Sequence, residues 1–113
     1  MATFHEQFFQ LLAGAARRRI LMLLADGEER CVCELTDALQ LAQPRISSHL
    51  AALRNAGVVM ARKQGLWVHY ALNPDLPDWA RAILMEMRAG LAAEAPYAED
   101  AARLARACKA ARV

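Results

Sequence analysis

Apolar positions recur along most of this chain at the three- and four-residue spacing of a helix, and alternate in only one stretch. In "FHEQFFQLL", Phe4, Phe8, Leu11 and Leu12 fall at i, i+4, i+7 and i+8, one stripe of a helical surface. Gly14 ends that segment. "AARRRILMLLADG" then offers a second stripe in Ile20, Leu21, Leu23 and Leu24, stopped at Asp26-Gly27. A shorter helix is predicted from about Val32 to Leu39. Leu35 and Leu39 lie one turn apart there, and Glu34 and Asp37 favour its positive N-terminal end. In "QPRISSHLAALRNAG", Pro44 suits a first helical turn, Ile46, Leu50 and Leu53 form the inward stripe, and Gly57 closes the helix.

The alternating stretch is "VVMARKQGLWVHYAL". Val58, Val59, Trp67, Val68, Tyr70 and Leu72 are strand formers, and Gln64-Gly65 sits where a hairpin reverses. Helical spacing returns from Asp78 to Glu94, with Trp79, Ile83, Leu84, Met87 and Leu91 on a broad apolar face. Pro96 interrupts it, and a last helix is predicted from Ala98 to Arg112. Short helix, tight turn, polar-faced helix and basic hairpin in that order describe a winged helix-turn-helix. The expected fold is therefore mainly α with a small β-hairpin, one domain over residues 1–113.

Charge sharpens this picture. From Ala38 to Asn73 there is no Asp or Glu, while Arg45, Arg54, Arg62 and Lys63 stand there, although the whole chain carries only +2. A basic block in an otherwise mildly acidic protein points to a polyanion. The face opposite the Ile46–Leu50–Leu53 stripe is built from Pro44, Ser48, Ala51, Ala52 and Asn55, without the Glu–Lys pairs that usually solubilise a helix. Such a face suits close approach to double-stranded DNA. Gln43, Arg45, Ser47, Ser48 and His49 occupy the N-terminal end, which helix-turn-helix proteins bring nearest the base edges. Arg can read guanine and Gln adenine in the major groove, whereas Arg54, Arg62 and Lys63 are cast as phosphate contacts. His49 borders the core stripe, so a packed histidine is the competing assignment.

The three cysteines raise a different question, because "GEERCVCEL" places Cys31 and Cys33 two residues apart. Positions i and i+2 of a regular helix lie about 200° apart. With Cys31 just outside the helix and Cys33 in its first turn, the two sulfurs are expected to converge only through an irregular or unwound helix start. Cys108 stands one turn after Leu104, and either packs as a small hydrophobe or completes a sulfur site. Cys-X-Cys lacks the spacing of the usual Cys-X-X-Cys redox motif, and no His–Asp constellation supports a nucleophile, so an enzyme is not expected. The longest apolar runs, such as "ILMLLA", are too short to span a bilayer, and no basic-then-apolar leader is seen. A cytoplasmic protein with no membrane partner is expected.

The stretch "ERCVCELTDALQLAQPRISSHLAALRNAGVVMARKQGLWVHYAL" resembles the ArsR/SmtB metalloregulatory repressors, and more narrowly their arsenite-responsive branch. "CVCEL" matches the thiol motif of that branch, "QPRISSHLAALRNAGVV" its recognition helix and "RKQGLWVHYAL" its wing. The resemblance implies a homodimer that holds an operator palindrome and leaves it when an inducer binds. The inducer it implies is arsenite or antimonite, thiophilic ions that favour three sulfurs, and no catalytic cofactor. The metal ligands it suggests are Cys31 and Cys33, with Cys108 as the candidate third. The cysteine that the branch often carries three residues after the second is Thr36 here, and the Ser that often caps the recognition helix is Ala42. The helix after the wing has no His, and His5 stands in an N-terminal region without Cys, which argues against the zinc and the four-thiolate sites of other relatives. Two alternatives stay open: a thiol-redox-responsive repressor, and one selective for methylated arsenicals. The dimer interface is expected on the first helix and the Asp78–Glu94 helix, whose Phe4, Phe8, Trp79, Ile83 and Met87 exceed what one small domain buries.

Overall fold

The computed structural model describes residues 2–111, with side chains through Arg106. Nine elements follow in order: α1 (Phe4–Leu12), α2 (Ala15–Leu24), β1 (Arg30–Cys31), α3 (Val32–Leu39), α4 (Gln43–Asn55), β2 (Val59–Gln64), β3 (Trp67–Leu72), α5 (Asp78–Leu91) and α6 (Tyr97–Ala111). The predicted helices and hairpin are present, with ends displaced by at most a few residues. One element was not foreseen. The two-residue strand β1 adds to the hairpin and makes a three-stranded antiparallel sheet of order β1-β3-β2.

Local chemistry accounts for the element ends. Thr3 caps α1, its hydroxyl accepting from the Glu6 amide at 3.4 Å. At the other end, Arg17 and Arg18 donate to the Leu11 and Leu12 carbonyls at 2.8 and 2.6 Å, covering acceptors that a helix leaves open. Helix α4 begins at Ala42, which offers no side-chain cap, so its start relies on Pro44 in the first turn. Gly57 follows α4 at φ +81°, and Gly65 opens the two-residue hairpin turn at φ +62°, conformations that a side chain resists.

The core lies between α2, α3, α4 and the inner ends of the wing strands. Ile20, Leu21, Leu24, Leu35, Ile46, Leu50, Leu53 and Val58 have no exposed surface at all, and each large aliphatic side chain so placed contributes about 2 kcal/mol. Burying one stripe of α4 forces the opposite, polar face outward to solvent. Aromatic side chains of α1 and α5 that were expected at a dimer interface pack on one another within the chain. Trp79 packs edge-on against Phe4 and Phe8, at ring separations of 5.9 and 5.5 Å, and stacks on Phe9 at 6.0 Å. Phe8 is buried, but Phe9 and Trp79 remain 52% and 42% exposed.

Helix α3 is held at its C-terminal end by a buried carboxylate. Asp100 of α6, 1% exposed, pairs with Arg19 of α2 at 2.7 Å and with Arg103 at 2.9 Å. The same two guanidiniums donate to the last carbonyls of α3, Arg19 to Leu39 at 2.9 Å and Arg103 to Ala38 at 2.6 Å. One acid thus fixes two arginines, and the arginines fix a helix end. Charge-assisted bonds of this kind are about twice as strong as neutral ones.

Candidate DNA-binding face and thiol groove

The N-terminal half of α4 presents Gln43, Arg45, Ser47 and Ser48 to solvent, with Arg54 exposed two turns further on. Among the described residues, Arg45, Arg54 and Lys63 enter no ion pair, so their charge is available to a partner. His49 differs from its neighbours. It is half-buried, and burial, then the nearby Arg17 and Arg45, push its pKa below the ordinary 6.5. Its half-burial beside the core stripe sets it apart from the exposed residues around it.

Arg62 is also set apart from the cations with which it was grouped. It donates through Nε and Nη2 to both carboxylate oxygens of Glu29, at 2.7 and 2.6 Å, and through Nη2 to Gln64 at 3.2 Å. This two-pronged contact raises the Arg62 pKa and holds the Glu29 carboxyl below its ordinary value. The wing thus offers Lys63 free and Arg62 already engaged.

The thiol motif sits beside the wing rather than behind α4. Cys31 ends β1, where it pairs with His69 of β3, and it is at the same time the N-cap of α3. Its extended backbone, φ −84° and ψ 164°, leaves Sγ pointing back over the first turn to accept the Glu34 amide at 3.4 Å. Glu34 returns the bond by accepting the Cys31 N–H at 2.9 Å, closing a capping box with sulfur in the place of the usual hydroxyl. The sulfurs of Cys31 and Cys33 are joined in a disulfide, with Cα atoms 5.4 Å apart. Cys31 stands just outside the helix and Cys33 in its first turn, as expected, but the irregular or unwound helix start expected to bring the sulfurs together is not found. The angle of 200° applies between two helical residues, and Cys31 is not one; α3 is regular from Val32 onward.

Cys31 is buried and Cys33 exposed. Both border a groove of about 610 Å³ whose far wall is the wing, with Arg62, Gln64, Trp67 and His69 facing Glu28 and Glu29. On its other side Cys33 borders a recess of about 450 Å³ reaching Gln43 at the start of α4. Cys33 thus borders both the groove walled by the wing and the recess that reaches the start of α4. Thr36, where the resemblance leads one to look for a third cysteine, has a buried hydroxyl with no hydrogen-bond partner. Among the described residues no group of three or more His, Cys, Asp or Glu could hold a metal ion. Cys108 lies outside the residues whose side chains are described. The course of α6 is nonetheless informative: Arg103 meets the C-terminal end of α3, while Ala105 borders a recess shared with Arg30, next to Cys31. Helix α6 therefore runs from the fixed end of α3 toward its thiol end.

Residues 15–60 match the family model described as "Bacterial regulatory protein, arsR family". Over 80 residues the chain is 50% identical to the arsenical resistance operon repressor of Escherichia coli, covering 71% of this chain and 68% of that one. The chain belongs to the ArsR family. An arsenic resistance transcriptional regulator of Pseudomonas putida is 53% identical over 76 residues, which are 67% of this chain and 59% of the relative. The chain thus spans about three-fifths to two-thirds of the length of these curated relatives. Among solved structures, HlyU from Vibrio cholerae superposes with a TM-score of 0.70 at 31% identity, covering 78% of this chain and 91% of its own. The homodimeric winged helix-turn-helix DNA-binding domain of a possible ArsR-family regulator from Mycobacterium bovis gives 0.65 at 26% identity, covering 77% of both chains. The fold is a winged helix-turn-helix, and the family to which the chain belongs is described as one of bacterial regulatory proteins.

Several participants escaped the sequence. Glu29, Trp67 and His69 complete the groove, yet none was singled out as a site residue, and of the three His69 alone pairs with the strand that bears Cys31. For His69 a signal existed in strand alternation, since it shares a rung with Arg62. For Glu29 there was none.

Proposed function

We propose that this ArsR-family protein is a cytoplasmic, homodimeric repressor that grips operator DNA and releases it when arsenite or antimonite is captured by its cysteine thiolates. The Cys31–Cys33 bond is first reduced to two thiols by a cellular thiol reductant. The observation that carries this reading is the convergence of Cys31 and Cys33 on one groove whose opposite wall is the wing. Relatives at about 50% identity are named as arsenic or arsenical resistance regulators, which supports the chemistry of the inducer. Cys108 is assigned as the third sulfur, and the course of α6 toward the Cys31 end of α3 favours donation within one protomer. Gln43, Arg45, Ser47 and Ser48 read the major groove, and Arg54, Arg62 and Lys63 hold phosphates; His49 supports the helix from its inner flank. The half-exposed Phe9–Trp79 patch on α1 and α5 supplies the dimer contact, in line with the homodimeric M. bovis neighbour. With the sulfur end of α3 touching both the wing and the recess toward Gln43, metalloid capture shifts two DNA-contacting elements together. It favours release by as much as the ion binds the two arrangements differently.

The bonded Cys31–Cys33 pair favours one second reading, a thiol-redox regulator that an oxidant releases without metalloid. One experiment separates them. A duplex selected by the protein from a random-sequence pool is followed by anisotropy in reductant, with arsenite, methylarsenite or neither. Arsenite is expected to release the parent, while Cys31→Ser and Cys33→Ser stay bound at every concentration and Cys108→Ser needs far more. Retention of the parent on DNA under arsenite, with release by peroxide, would reverse the ranking. Release by methylarsenite alone would assign a two-thiol site.

A further inference from the structure

We infer that Glu29 is an affinity-determining residue of the DNA-binding surface: it occupies the two-donor edge of Arg62 that a phosphate would take, and so latches the wing to the thiol loop. The inference rests on the reading above that the wing meets DNA. Its geometry is independent of that reading.

Glu29 lies in the loop between α2 and β1, two residues before Cys31, and Arg62 lies on the outer strand of the sheet. Cys31, His69 and Arg62 form one rung across the three strands, since Cys31 pairs with His69 and His69 with Arg62. Directly opposed residues of antiparallel strands share a face, so the Arg62 side chain and the thiol end are on the same side. From there Arg62 reaches past His69 to Glu29 and forms parallel Nε–Oε2 and Nη2–Oε1 bonds. A guanidinium binds carboxylate and phosphate with the same fork. One partner therefore excludes the other from that edge.

The pair is solvent-exposed, 52% on Arg62 and 38% on Glu29, which makes it exchangeable. An exposed ion pair shifts an equilibrium by a few-fold at most. That is the size expected of a device that tunes affinity without abolishing it. DNA must displace Glu29 to recruit Arg62, and a carboxylate left beside the phosphates adds repulsion. The loop that bears Glu29 leads directly into Cys31, so a change at the sulfurs bears on the latch through two peptide units.

The test uses the full-length protein in reductant and a fluorescein-labelled duplex of mixed sequence, because phosphate contacts are independent of sequence. Affinity is read by anisotropy against salt for the parent, Glu29→Gln, Glu29→Asp, Arg62→Gln and Glu29→Gln/Arg62→Gln. Glu29→Gln is expected to bind about two- to fivefold tighter, with the log–log salt slope steeper by about one. Glu29→Asp keeps the charge but shortens the reach, and is expected to gain most of the same increment. In the Arg62→Gln background the gain from Glu29→Gln is expected to shrink to the margin of error. An unchanged affinity in both Glu29 variants, with circular dichroism and urea midpoints intact, overturns the latch. So does an equal gain when Arg62 is absent, which would report charge removal alone. Failure of the parent itself to bind the duplex would instead sink the DNA-binding reading.

Discussion

The two ends of α3 are built on opposite principles. At its C-terminal end, the Ala38 and Leu39 carbonyls are taken by Arg103 and Arg19, both anchored on the buried Asp100. At its N-terminal end, the Glu34 amide is taken by the sulfur of Cys31, a weak acceptor. One end is held by charge in a dry setting, the other by a group whose chemistry an ion or an oxidant can change. Any chemistry at the sulfurs therefore acts on the more weakly held end of α3, with the opposite end clasped by charge.

The largest expected effect breaks the fixed end. Asp100→Asn leaves two guanidiniums beside a neutral amide and is expected to destabilise the fold by about 2–4 kcal/mol, measured by urea denaturation. A loss below half a kcal/mol would mean that the clasp contributes little. The adjustable end is probed next by two substitutions at one position. Compared in reductant, so that the parent carries no Cys31–Cys33 bond, Cys31→Ala removes the cap acceptor and should cost about 1 kcal/mol, whereas Cys31→Ser supplies a better cap and should match the reduced parent. Neither is expected to respond to arsenite. A Cys31→Ser protein as unstable as Cys31→Ala would show that the capping box is not what the sulfur contributes in the free protein. The smallest effect lies along pH. Arg62 holds the Glu29 carboxyl below its ordinary value of 4.5, so the stability that the pair contributes is present above that value. It is lost as pH falls through the depressed folded value. Urea midpoints taken between pH 6 and 3.5 should fall slightly more steeply for the parent than for Arg62→Gln. Superimposable profiles would remove the pair from the stability account.

What the sequence disclosed divides along the same line as the physics. Helices α1 to α4 and the hairpin were legible because each buries a stripe at its own period, and Gly57 and Gly65 stand where positive φ is needed. The exposed polar face of α4 was legible by subtraction, through the absence of acids between Ala38 and Asn73. Strand β1 was not, because two residues carry no period and its pairing of Arg30 with Tyr70 is set by tertiary contact. Arg62 was grouped with the free cations because nothing local announces Glu29 as its partner. Asp100 reads as an ordinary acid in a first helical turn, and only the approach of Arg19 from α2 explains its burial. The thiol pair was misjudged for a subtler reason. A cap residue belongs to the helix by hydrogen bonding but not by dihedral angle, so the rotation per residue fails at the one position where it was applied.

The strand order also sets a schedule. Strands β2 and β3 close through a two-residue turn and can zip together early, whereas Arg30 and Cys31 must dock from far up the chain onto an edge that is already formed. The amides of the sulfur-bearing edge are expected to exchange with heavy water before those that join the hairpin, which a hydrogen-exchange measurement would check.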